Sequence, residues 1–400
     1  MATHDAEIIV VGGGPAGSSV AAALAERGRR VLLLDKARFP RHKACSEYVN
    51  PAGARLLLDL GLARDLDALG AHRLEAMRIH APDGGHFLAD FAASNERAIG
   101  LSRYRLDALL LERARAAGAE VRDGAWVRDV VVERGRVRGV EVTADGTRQT
   151  LWAPLTIGAD GRHGVVSRAL ALDVPLRWPR RTGLVAHYRG VTGLDRWGEL
   201  HVTRHGYAGL APLEDGLTNV AFVTDSAIIS GRDDSLETFF ADGLARIPAV
   251  AEKLAVAERV GAIRGVGPMA RRARRVSGDG FLLVGDAASF LDPFTGEGIT
   301  DALRGALLAA PVIDAALRVG DVSARSLAPY RHARRRAFWA KRQVCWLVQG
   351  FIAAPPLLDY AARRLDRRPR LAATLAAVLG DLAPAREALS PWFLARVLWP

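Results

Sequence analysis

The feature that most constrains the fold is a glycine-rich turn near the start of the chain. An apolar run leads into Gly12, Gly14 and Gly17, and a helical pattern over 18–27 and a second apolar run ending at Asp35 follow. In a β-α-β unit of this size, the first glycine permits a tight turn, the second lets the backbone approach a pyrophosphate, and the third lets helix and strand pack closely. The carboxylate that closes the second run stands where it accepts hydrogen bonds from a ribose. The N-terminal part therefore predicts a Rossmann-type dinucleotide-binding fold.

The rest of the chain predicts a two-lobed α/β (α+β) protein. Residues 176–261 alternate apolar and polar side chains between glycine-rich turns, which is typical of an antiparallel sheet. An apolar strand over 280–286 and a long helix over 298–317 return the chain to the first lobe. We expect a discontinuous dinucleotide-binding domain over 1–75, 100–175 and 262–325, an inserted antiparallel β-sheet lobe for substrate over 76–99 and 176–261, and a C-terminal helical segment over 326–400.

Cysteine content and the N-terminus narrow the class of protein. Only Cys45 and Cys345 occur among 400 residues, so no Cys-x-x-Cys pair is available for an iron–sulfur cluster or a zinc ribbon, and we expect no metal site. The polar first seven residues lack the basic-then-apolar order of a secretory signal. We expect a cytoplasmic protein, either a monomer or a dimer.

Positive charge is concentrated at the C-terminus. The chain has 55 Lys and Arg against 44 Asp and Glu, a net +11, and residues 325–400 hold 14 of the former and four of the latter, which is +10. These charges alternate with tryptophan and leucine, a mixture typical of helices that cover a core or lie on an anionic membrane surface. Gln349, Gly350 and Pro355 interrupt the apolar stretch over 344–362, so it predicts no membrane span. We expect helices that cap the fold, with peripheral membrane contact as the alternative, and no nucleic-acid binding.

Two further motifs follow the glycine-rich turn. They are Gly158-Ala-Asp160-Gly161, and Gly285-Asp286 followed by Pro293-Phe-Thr-Gly296-Glu-Gly298-Ile299. All three motifs, in this order, resemble the flavoprotein group that contains p-hydroxybenzoate-hydroxylase-like monooxygenases, geranylgeranyl reductases and flavin-dependent halogenases. The resemblance covers nearly the whole chain. It implies non-covalently bound FAD, with NADPH or NADH as a transient co-substrate and a hydrophobic small molecule as substrate.

The resemblance also implies which residues contact FAD. Asp286 would hold a ribityl hydroxyl, and the helix from Gly298 would point its positive end at the flavin N1–C2=O locus, where negative charge develops on reduction. Asp160 and Gly161 resemble the Asp-Gly motif linked to both FAD and NAD(P)H, and Arg103 resembles an arginine near the FAD pyrophosphate. The expected cofactor-binding residues are Gly12, Gly14, Ala16, Gly17, Asp35, Lys36, Arg41, Lys43, Ala44, Cys45, Arg103, Val127, Asp160, Gly161, Gly285, Asp286, Pro293, Gly296, Gly298 and Ile299.

A fourth segment, Lys43-Ala-Cys45-Ser-Glu47, is similar to one found near the flavin in the geranylgeranyl-reductase-like branch. In that arrangement Cys45 lies at the active site, and Arg41 and Lys43 would lower the pKa of its thiol. The alternative is a small buried thiol flanked by solvated cations. The candidate catalytic residues are Cys45, Pro293, Gly296 and Gly298. The histidines His163, His187, His201 and His205 are acid–base candidates by residue type alone.

One position departs from the family pattern. Reductases and halogenases of this group carry a tryptophan in a Tyr-x-Trp-x-x-Pro segment on the sheet lobe, whereas this chain reads Tyr207-Ala-Gly209-Leu-Ala-Pro212. The glycine argues against both specialised activities. It argues most strongly against halogenation, because the sequence has no Trp-x-Trp element either.

These expectations leave the reaction open. The leading hypothesis is an NAD(P)H-driven monooxygenase that hydroxylates or epoxidises a hydrophobic aromatic, polyketide or terpenoid, motivated by Asp160-Gly161 and the missing tryptophan. The close alternative is reduction of isoprenoid C=C bonds, which Cys45, the 293–298 loop and the basic, apolar tail favour. A non-catalytic FAD-binding protein is the second alternative. A quinone-linked dehydrogenase is disfavoured, because two distant cysteines supply no iron–sulfur relay.

Overall fold

A computed structural model describes residues 4–91, 96–194, 196–231 and 234–398. Outside the described residues therefore lie 1–3 of the expected dinucleotide-binding domain, 92–95, 195 and 232–233 of the expected sheet lobe, and 399–400 of the expected helical segment. The strands are β1 Ile8–Val11, β2 Val31–Asp35, β3 Tyr48–Val49, β4 His72–Leu74, β5 Ala76–His80, β6 His86–Asp90, β7 Ala98–Gly100, β8 Glu120–Asp123, β9 Trp126–Glu133, β10 Arg136–Ala144, β11 Thr147–Trp152, β12 Leu155–Gly158, β13 Asp173–Pro175, β14 Arg181–Arg189, β15 Trp197–Thr203, β16 Gly206–Pro212, β17 Leu217–Asp225, β18 Glu258–Val266, β19 Arg271–Ala273, β20 Ser277–Gly278, β21 Phe281–Leu283 and β22 Ser289–Phe290. The helices are α1 Pro15–Ala25, α2 Pro51–Asp59, α3 Ala63–Ala68, α4 Arg103–Ala116, α5 Val165–Ala169, α6 Ser226–Ser230, α7 Leu236–Ala245, α8 Pro248–Leu254, α9 Gly298–Val319, α10 Ala328–Ala353, α11 Pro355–Asp366, α12 Pro369–Leu379 and α13 Pro391–Leu398.

A six-stranded sheet forms the core of the first lobe. Its order is β20-β21-β12-β1-β2-β8, and all neighbours run parallel except β20 and β21. The central strands β1 and β12 are buried along their whole length, as parallel strands covered on both faces must be. The strands of this sheet come from separate stretches of the chain, so the sheet is discontinuous in sequence. The parallel sheet and the family match confirm the Rossmann-type fold.

A seven-stranded sheet forms the inserted lobe, in the order β18-β14-β17-β16-β15-β5-β6. The sheet is antiparallel, as expected, in every pair except one, since β5 and β15 run parallel. The sheet also continues past the expected boundary at 261, because Gly261, with φ of +81°, lies at a register shift within β18 and the strand continues to Val266. The expected lobe segment 76–99 also ends in β7, but this strand does not join the seven-stranded sheet. It pairs with β3 and β4 in a separate small sheet.

The helices α10 to α13 pack onto the inserted sheet. Val344, Ile352 and Leu358 of these helices join Ile79 and other sheet side chains in one buried apolar cluster. The expected capping arrangement is therefore what the structure shows. No single described helix is long and apolar enough to cross a membrane, although α10 and α11, which meet at 112°, reach that length and composition as a bent pair.

Candidate functional site

A cleft of about 1120 Å³ lies between the two lobes. The turns after β1, β12 and β21 line one wall, because the carboxyl ends of parallel strands share an edge of the sheet. Gly183, Leu200 and Gly209 of the seven-stranded sheet line the opposite wall. Of the expected site residues, the structure brings to this lining Gly14, Ala16, Lys43, Ala44, Cys45, Arg103, Gly161, Gly285, Asp286, Pro293, Gly296, Gly298 and Ile299.

The turn after β1 leaves no room for a side chain at Gly12 or at Gly17. Gly12 has φ of +105°, and a Cβ there would lie 2.6 Å from the carbonyl oxygen of Ala159. A Cβ on Gly17 would lie 1.8 Å from the carbonyl oxygen of Gly12. Asp35 accepts a hydrogen bond from the backbone N–H of Gly13 at 2.7 Å, which holds the turn against β2. These expected residues shape the turn, while the N-terminus of α1 faces the cleft.

Three cations gather beside this turn: Arg41, Lys43 and Arg103. Arg103 Nε lies 2.6 Å from one carboxylate oxygen of the fully buried Asp107, and Arg41 Nη1 lies 2.8 Å from the other. A Cβ on Gly14 would be 3.6 Å from Arg103 and 3.9 Å from Arg41, so both guanidinium groups face the approach to the turn. The cluster therefore surrounds the place where the sequence expects a pyrophosphate.

The charge of this cluster fits a diphosphate. Burial, followed by the charges of Arg103 and Arg41, lowers the pKa of Lys43 to about 8. Arg41 and Arg103 share the one carboxylate of Asp107, and an anion with two charges at the N-terminus of α1 would relieve the repulsion among the three cations. The residues present thus fit the diphosphate of FAD.

Three expected residues lie away from the cleft. Asp160 accepts a hydrogen bond from the backbone N–H of Val166 at 3.2 Å and turns beneath the start of α5, where burial raises its pKa to about 6. Lys36 is exposed, with its Nζ 6.0 Å from the centre of the Trp126 ring, and Val127 is buried in β9 of a three-stranded sheet. Their roles toward FAD stay predictions.

Cys45 lines the cleft and is tied to the buried carboxylate of Glu47. The backbone N–H of Glu47 donates to Cys45 Sγ at 3.4 Å, and Asn219 Nδ2 lies 2.9 Å from both Cys45 O and Glu47 Oε2. Glu47 Oε2 is also 2.5 Å from His187 Nε2, and Oε1 accepts from Arg103 N at 2.8 Å. Glu47 has φ of +56°, a left-handed conformation that these contacts hold in place.

The Cys45 thiol interacts with the guanidinium group of Arg103. Burial lowers the pKa of Arg103, but the charge of Asp107 and then the interaction with Cys45 outweigh it, and the pKa is raised. Of the histidines named by residue type, His187 reaches this region through Glu47, whereas His201 pairs with Glu199 at 2.9 Å and does not line the cleft.

The 292–298 loop is fixed by side chains from both the inserted lobe and the C-terminal helices. Asp292 accepts a hydrogen bond from Tyr207 Oη at 2.8 Å and from Arg181 Nη1 at 3.2 Å. Arg181 Nη1 also donates to Gln349 Oε1 of α10 at 2.7 Å. The loop that carries Pro293, Gly296 and Gly298 is therefore held where three parts of the fold meet.

Behind this loop, Glu297 enters a buried ion network with the C-terminal helices. Lys341 Nζ lies 3.2 Å from Glu297 Oε1 and 2.9 Å from Asp381 Oδ1, and Cys345 Sγ donates to Glu297 Oε2 at 3.1 Å. Burial and the charges of Glu297 and Asp381 raise the pKa of Asp301 to about 7. The network anchors α10 and the segment after α12 to the loop.

An apolar passage leads from the cleft into the C-terminal helices. A second cavity of about 650 Å³ shares Tyr48, Leu200 and Gly209 with the cleft. A third cavity of about 720 Å³ shares Ile79 and Phe294 with the second, and apolar side chains line it throughout. Because neighbouring cavities share wall residues, the three lie in series, and we call the second and third cavities together the apolar passage.

Gly209 stands at the junction between the cleft and the apolar passage. It lines both the cleft and the second cavity, and a Cβ there would approach Leu200 Cδ2 to 3.3 Å. A tryptophan at this position would fill the junction.

Sequence reasoning missed the groups that hold the site together. Asp107 follows Arg103 by four residues on α4, and this helical ion-pair spacing would have found it. Tyr207 and Asp292 are 85 residues apart, and no local signal joins them. Glu47 closes the segment that begins at Lys43, but its contact with His187, 140 residues away, follows only from the fold.

Comparison with known proteins agrees with this geometry. A family model described as FAD binding domain matches residues 5–344. Digeranylgeranylglycerophospholipid reductase 1 of Methanopyrus kandleri is 32% identical over 340 residues, covering 81% of this chain and 84% of that protein. Menaquinone reductase of Mycolicibacterium smegmatis is 29% identical over 405 residues, covering 96% and 93%. The solved structure of the flavin-dependent brominase Bmp2 matches with a TM-score of 0.84 at 22% identity, covering 94% of each chain, a likeness that shows the fold alone.

Proposed function

The chain belongs to the FAD binding domain family and is an FAD-dependent oxidoreductase, and on this premise we propose that it reduces carbon–carbon double bonds in an isoprenoid chain. The observation that carries the proposal is the apolar passage, whose inner part is lined by apolar side chains throughout. An elongated apolar volume suits an extended hydrocarbon chain better than a compact aromatic ring. Two relatives support the same choice, since their names specify a geranylgeranyl lipid and a menaquinone, and both molecules carry isoprenoid chains.

The chain's own residues divide the work between the two ends of the cleft. Arg41, Lys43 and Arg103 would hold the FAD diphosphate at the N-terminus of α1, and bound FAD supplies the hydride exchange. The apolar passage binds the hydrocarbon and excludes water from the reacting carbons. The 292–298 loop, fixed by the bonds of Asp292 to Tyr207 and Arg181, would support the flavin end of the cofactor beside the passage.

Reduction of a double bond also needs a proton. Cys45 and Tyr48 both line the cleft and both carry a proton that they are able to donate. Burial raises the pKa of Tyr48, so its phenol stays protonated at working pH. Separate Cys45→Ala and Tyr48→Phe variants, assayed with pre-reduced protein, assign the proton donor by which one slows the hydrogenation step.

The decisive experiment is anaerobic turnover of a geranylgeranyl lipid by the FAD-loaded protein reduced with dithionite. We expect the product mass to increase by two hydrogens for each reduced double bond, with no oxygen incorporated. A product that appears only after O₂ is admitted, and that carries an oxygen atom from it, would instead establish the monooxygenase hypothesis and overturn this proposal.

We also propose that α10 and α13 contact an anionic membrane surface, which would bring a lipid substrate to the apolar passage. Trp339 on α10 is 58% exposed and Trp392 on α13 is 62% exposed, while their neighbours Phe393 and Val397 line the third cavity. Tryptophan beside arginine is the composition of an interfacial helix. We expect Trp392→Ala to weaken co-sedimentation with phosphatidylglycerol vesicles several-fold, whereas Trp126→Ala, on the other lobe, leaves it unchanged. Equal binding by both variants would contradict the assignment.

A further inference from the structure

Two histidines and a glutamate meet on the face of the inserted sheet that points away from the cleft. Leu200 lines the cleft, and strand alternation therefore puts its neighbours Glu199 and His201 on the opposite face of β15. The parallel pairing of β5 with β15 places His80 beside His201, and the two rings stack with centroids 4.2 Å apart and planes inclined by 6°. This strand pair thus assembles a group that we call the His80–Glu199–His201 cluster.

The cluster contains buried polar atoms whose hydrogen bonds are not all made. Glu199 is fully buried, and its Oε2 lies 2.9 Å from His201 Nε2 and 3.9 Å from His80 Nε2. Among the described residues, Glu199 Oε1 and His80 Nε2 are both buried without a hydrogen-bond partner. Buried polar atoms in that state are costly. An ion held between the two imidazoles and the carboxylate would give His80 Nε2 a partner, and Oε1 as well if the carboxylate binds through both oxygens.

Two cations approach Glu199 from the other side without hydrogen bonding to it. Lys253 Nζ lies 3.4 Å and Arg78 Nη1 lies 3.8 Å from Glu199 Oε1. Lys253 donates instead to the carbonyl oxygen of Gly193 at 3.2 Å, and the Arg78 guanidinium lies 4.3 Å from the centre of the Trp197 ring. These two charges weaken the attraction of the cluster for a cation, but they leave Glu199 Oε2 facing the imidazoles.

The ligand atoms are spaced as a zinc ion requires. His80 Nε2, His201 Nε2 and a Glu199 carboxylate oxygen all lie within 4.8 Å of one another. With bonds of about 2.0–2.2 Å, the ligand atoms of a tetrahedral zinc site lie roughly 3.3–3.5 Å apart, so small side-chain rotations suffice. Two imidazoles and one carboxylate form a ligand set that holds zinc with one position open. The scarcity of cysteine predicts no metal site, but this set needs no thiolate.

The cluster opens onto a groove of about 1850 Å³ on the outer face of the sheet. His80 and His201 line this groove together with the 81–84 turn and residues of α7 and α8, among them Phe239 and Pro248. An ion bound between the two histidines would therefore face the groove, where water or a small ligand reaches its fourth position.

We propose that His80, Glu199 and His201 form a zinc site, with both Nε2 atoms and the carboxylate as ligands and water in the open position. Binding releases to solvent the proton of the His201–Glu199 hydrogen bond, because imidazole nitrogen and carboxylate oxygen both bind metal in their deprotonated forms. The site lies on the opposite face of the sheet from the FAD cleft. It therefore stands or falls independently of the proposed function.

The test is calorimetric titration of the FAD-loaded protein with ZnCl₂, after treatment with EDTA and without a polyhistidine tag. We expect one ion per chain with a dissociation constant on the order of 1 μM, since Lys253 and Arg78 oppose the added charge. His80→Ala and Glu199→Gln should each bind at least about a hundredfold more weakly, because a lost ligand costs more than the ten- to hundredfold of a lost supporting contact.

The matched control is His205→Ala, a histidine that lines the same groove outside the cluster. It should bind Zn²⁺ within about twofold of wild type, because it supplies no ligand. FAD content reports whether each variant is folded, and Glu199→Gln keeps the size of the buried side chain. Zn²⁺ should also raise the Tm of the wild type but not that of Glu199→Gln, since an ion that binds only the folded protein stabilises it.

Co²⁺ supplies a second measurement, because it takes the same ligands, absorbs visible light in a four- or five-coordinate site and is displaced by the tighter-binding Zn²⁺. We expect such a band in the wild type and its loss in His80→Ala. A wild-type protein that takes up neither ion overturns the proposal. So does Zn²⁺ binding that persists in both His80→Ala and Glu199→Gln, or that is lost equally in His205→Ala, since either result would place the ion on surface histidines.

Discussion

The two ends of the active-site cleft are built on different principles. The FAD end consists of a turn in which Gly12 and Gly17 have no room for a side chain, a helix N-terminus and three cations around Asp107. The substrate end continues into the apolar passage, where apolar side chains of the inserted sheet and of α10–α13 meet. Under the proposed function, strong, directional interactions would fix the cofactor, whereas shape and water exclusion would select the substrate.

This difference between charge recognition and shape predicts how each end of the cleft responds to amino-acid substitutions. At the FAD end a single altered charge changes affinity, since few groups carry the recognition. At the substrate end most single truncations only widen an apolar surface, and a large effect requires that the passage be blocked. The narrow point for such a block is the junction at Gly209.

The largest expected effect is therefore that of Gly209→Trp. The indole would fill the junction between the cleft and the second cavity, because even a Cβ lies 3.3 Å from Leu200 Cδ2. We expect kcat/KM for a twenty-carbon isoprenoid lipid to fall by about a hundredfold with dithionite as reductant, as steric exclusion from a required site does.

Isoprenoid substrates of different length supply the internal control for this variant. A ten-carbon substrate, which does not need the inner cavity, should lose much less activity in the same protein. The FAD content should equal that of wild type, since Gly209 lies on the wall opposite the cations. Equal losses for both chain lengths, or no loss for either, would show that the apolar passage is not the route of the substrate.

Lys43→Met should have the next largest effect, at the FAD end. Removing one of three cations at the diphosphate site should weaken FAD binding about tenfold, measured by flavin fluorescence. The free protein should become more stable at neutral pH, because burial and two neighbouring cations disfavour the charged lysine. The matched control is Arg113→Gln on α4, whose side chain pairs with Glu26 at the surface.

The titration of Lys43 predicts how the stability of the free protein and its affinity for FAD change with pH. In the free protein Lys43 loses its proton near pH 8, below its ordinary pKa of 10.5, so the penalty for a buried charge is fully present below pH 8 and disappears as the pH rises toward 10.5. The diphosphate would hold the proton to higher pH. FAD affinity of the wild type should then decline above pH 8, and the decline should vanish in Lys43→Met. A pH-independent wild type would place the diphosphate away from this lysine.

The same contrast explains how far the sequence could predict the site. Gly12, Gly14, Gly17 and Asp35 work within one β-α-β unit, so their spacing alone carries the information. The direction of a side chain is not encoded in that way. Asp160 belongs to the Asp-Gly motif, yet its carboxylate accepts a hydrogen bond from the backbone N–H of Val166 at the start of α5 and does not line the cleft.

Long-range contacts set what the sequence could not predict. The apolar passage needs Ile79 and Phe294 to meet helices that begin after residue 327, and each of these two is an ordinary core residue in its own segment. The parallel pairing of β5 with β15 likewise depends on strands far apart in sequence. Periodicity predicts that such strands exist, but it does not say which neighbours they take.

The smallest expected effect is that of Tyr207→Phe, which tests whether the two ends are mechanically joined. Its buried hydroxyl donates to Asp292 at 2.8 Å and so ties the inserted sheet to the 292–298 loop. Asp292 keeps its contacts to Arg181 and Phe294 N, so we expect a loss of only about 1 kcal/mol in the free energy of unfolding by urea. Tyr188→Phe, a half-buried tyrosine of the same sheet, should cost less. If Tyr207→Phe costs nothing while Gly209→Trp blocks turnover, the substrate end shapes the reaction without supporting the cofactor loop, and the two ends are energetically independent.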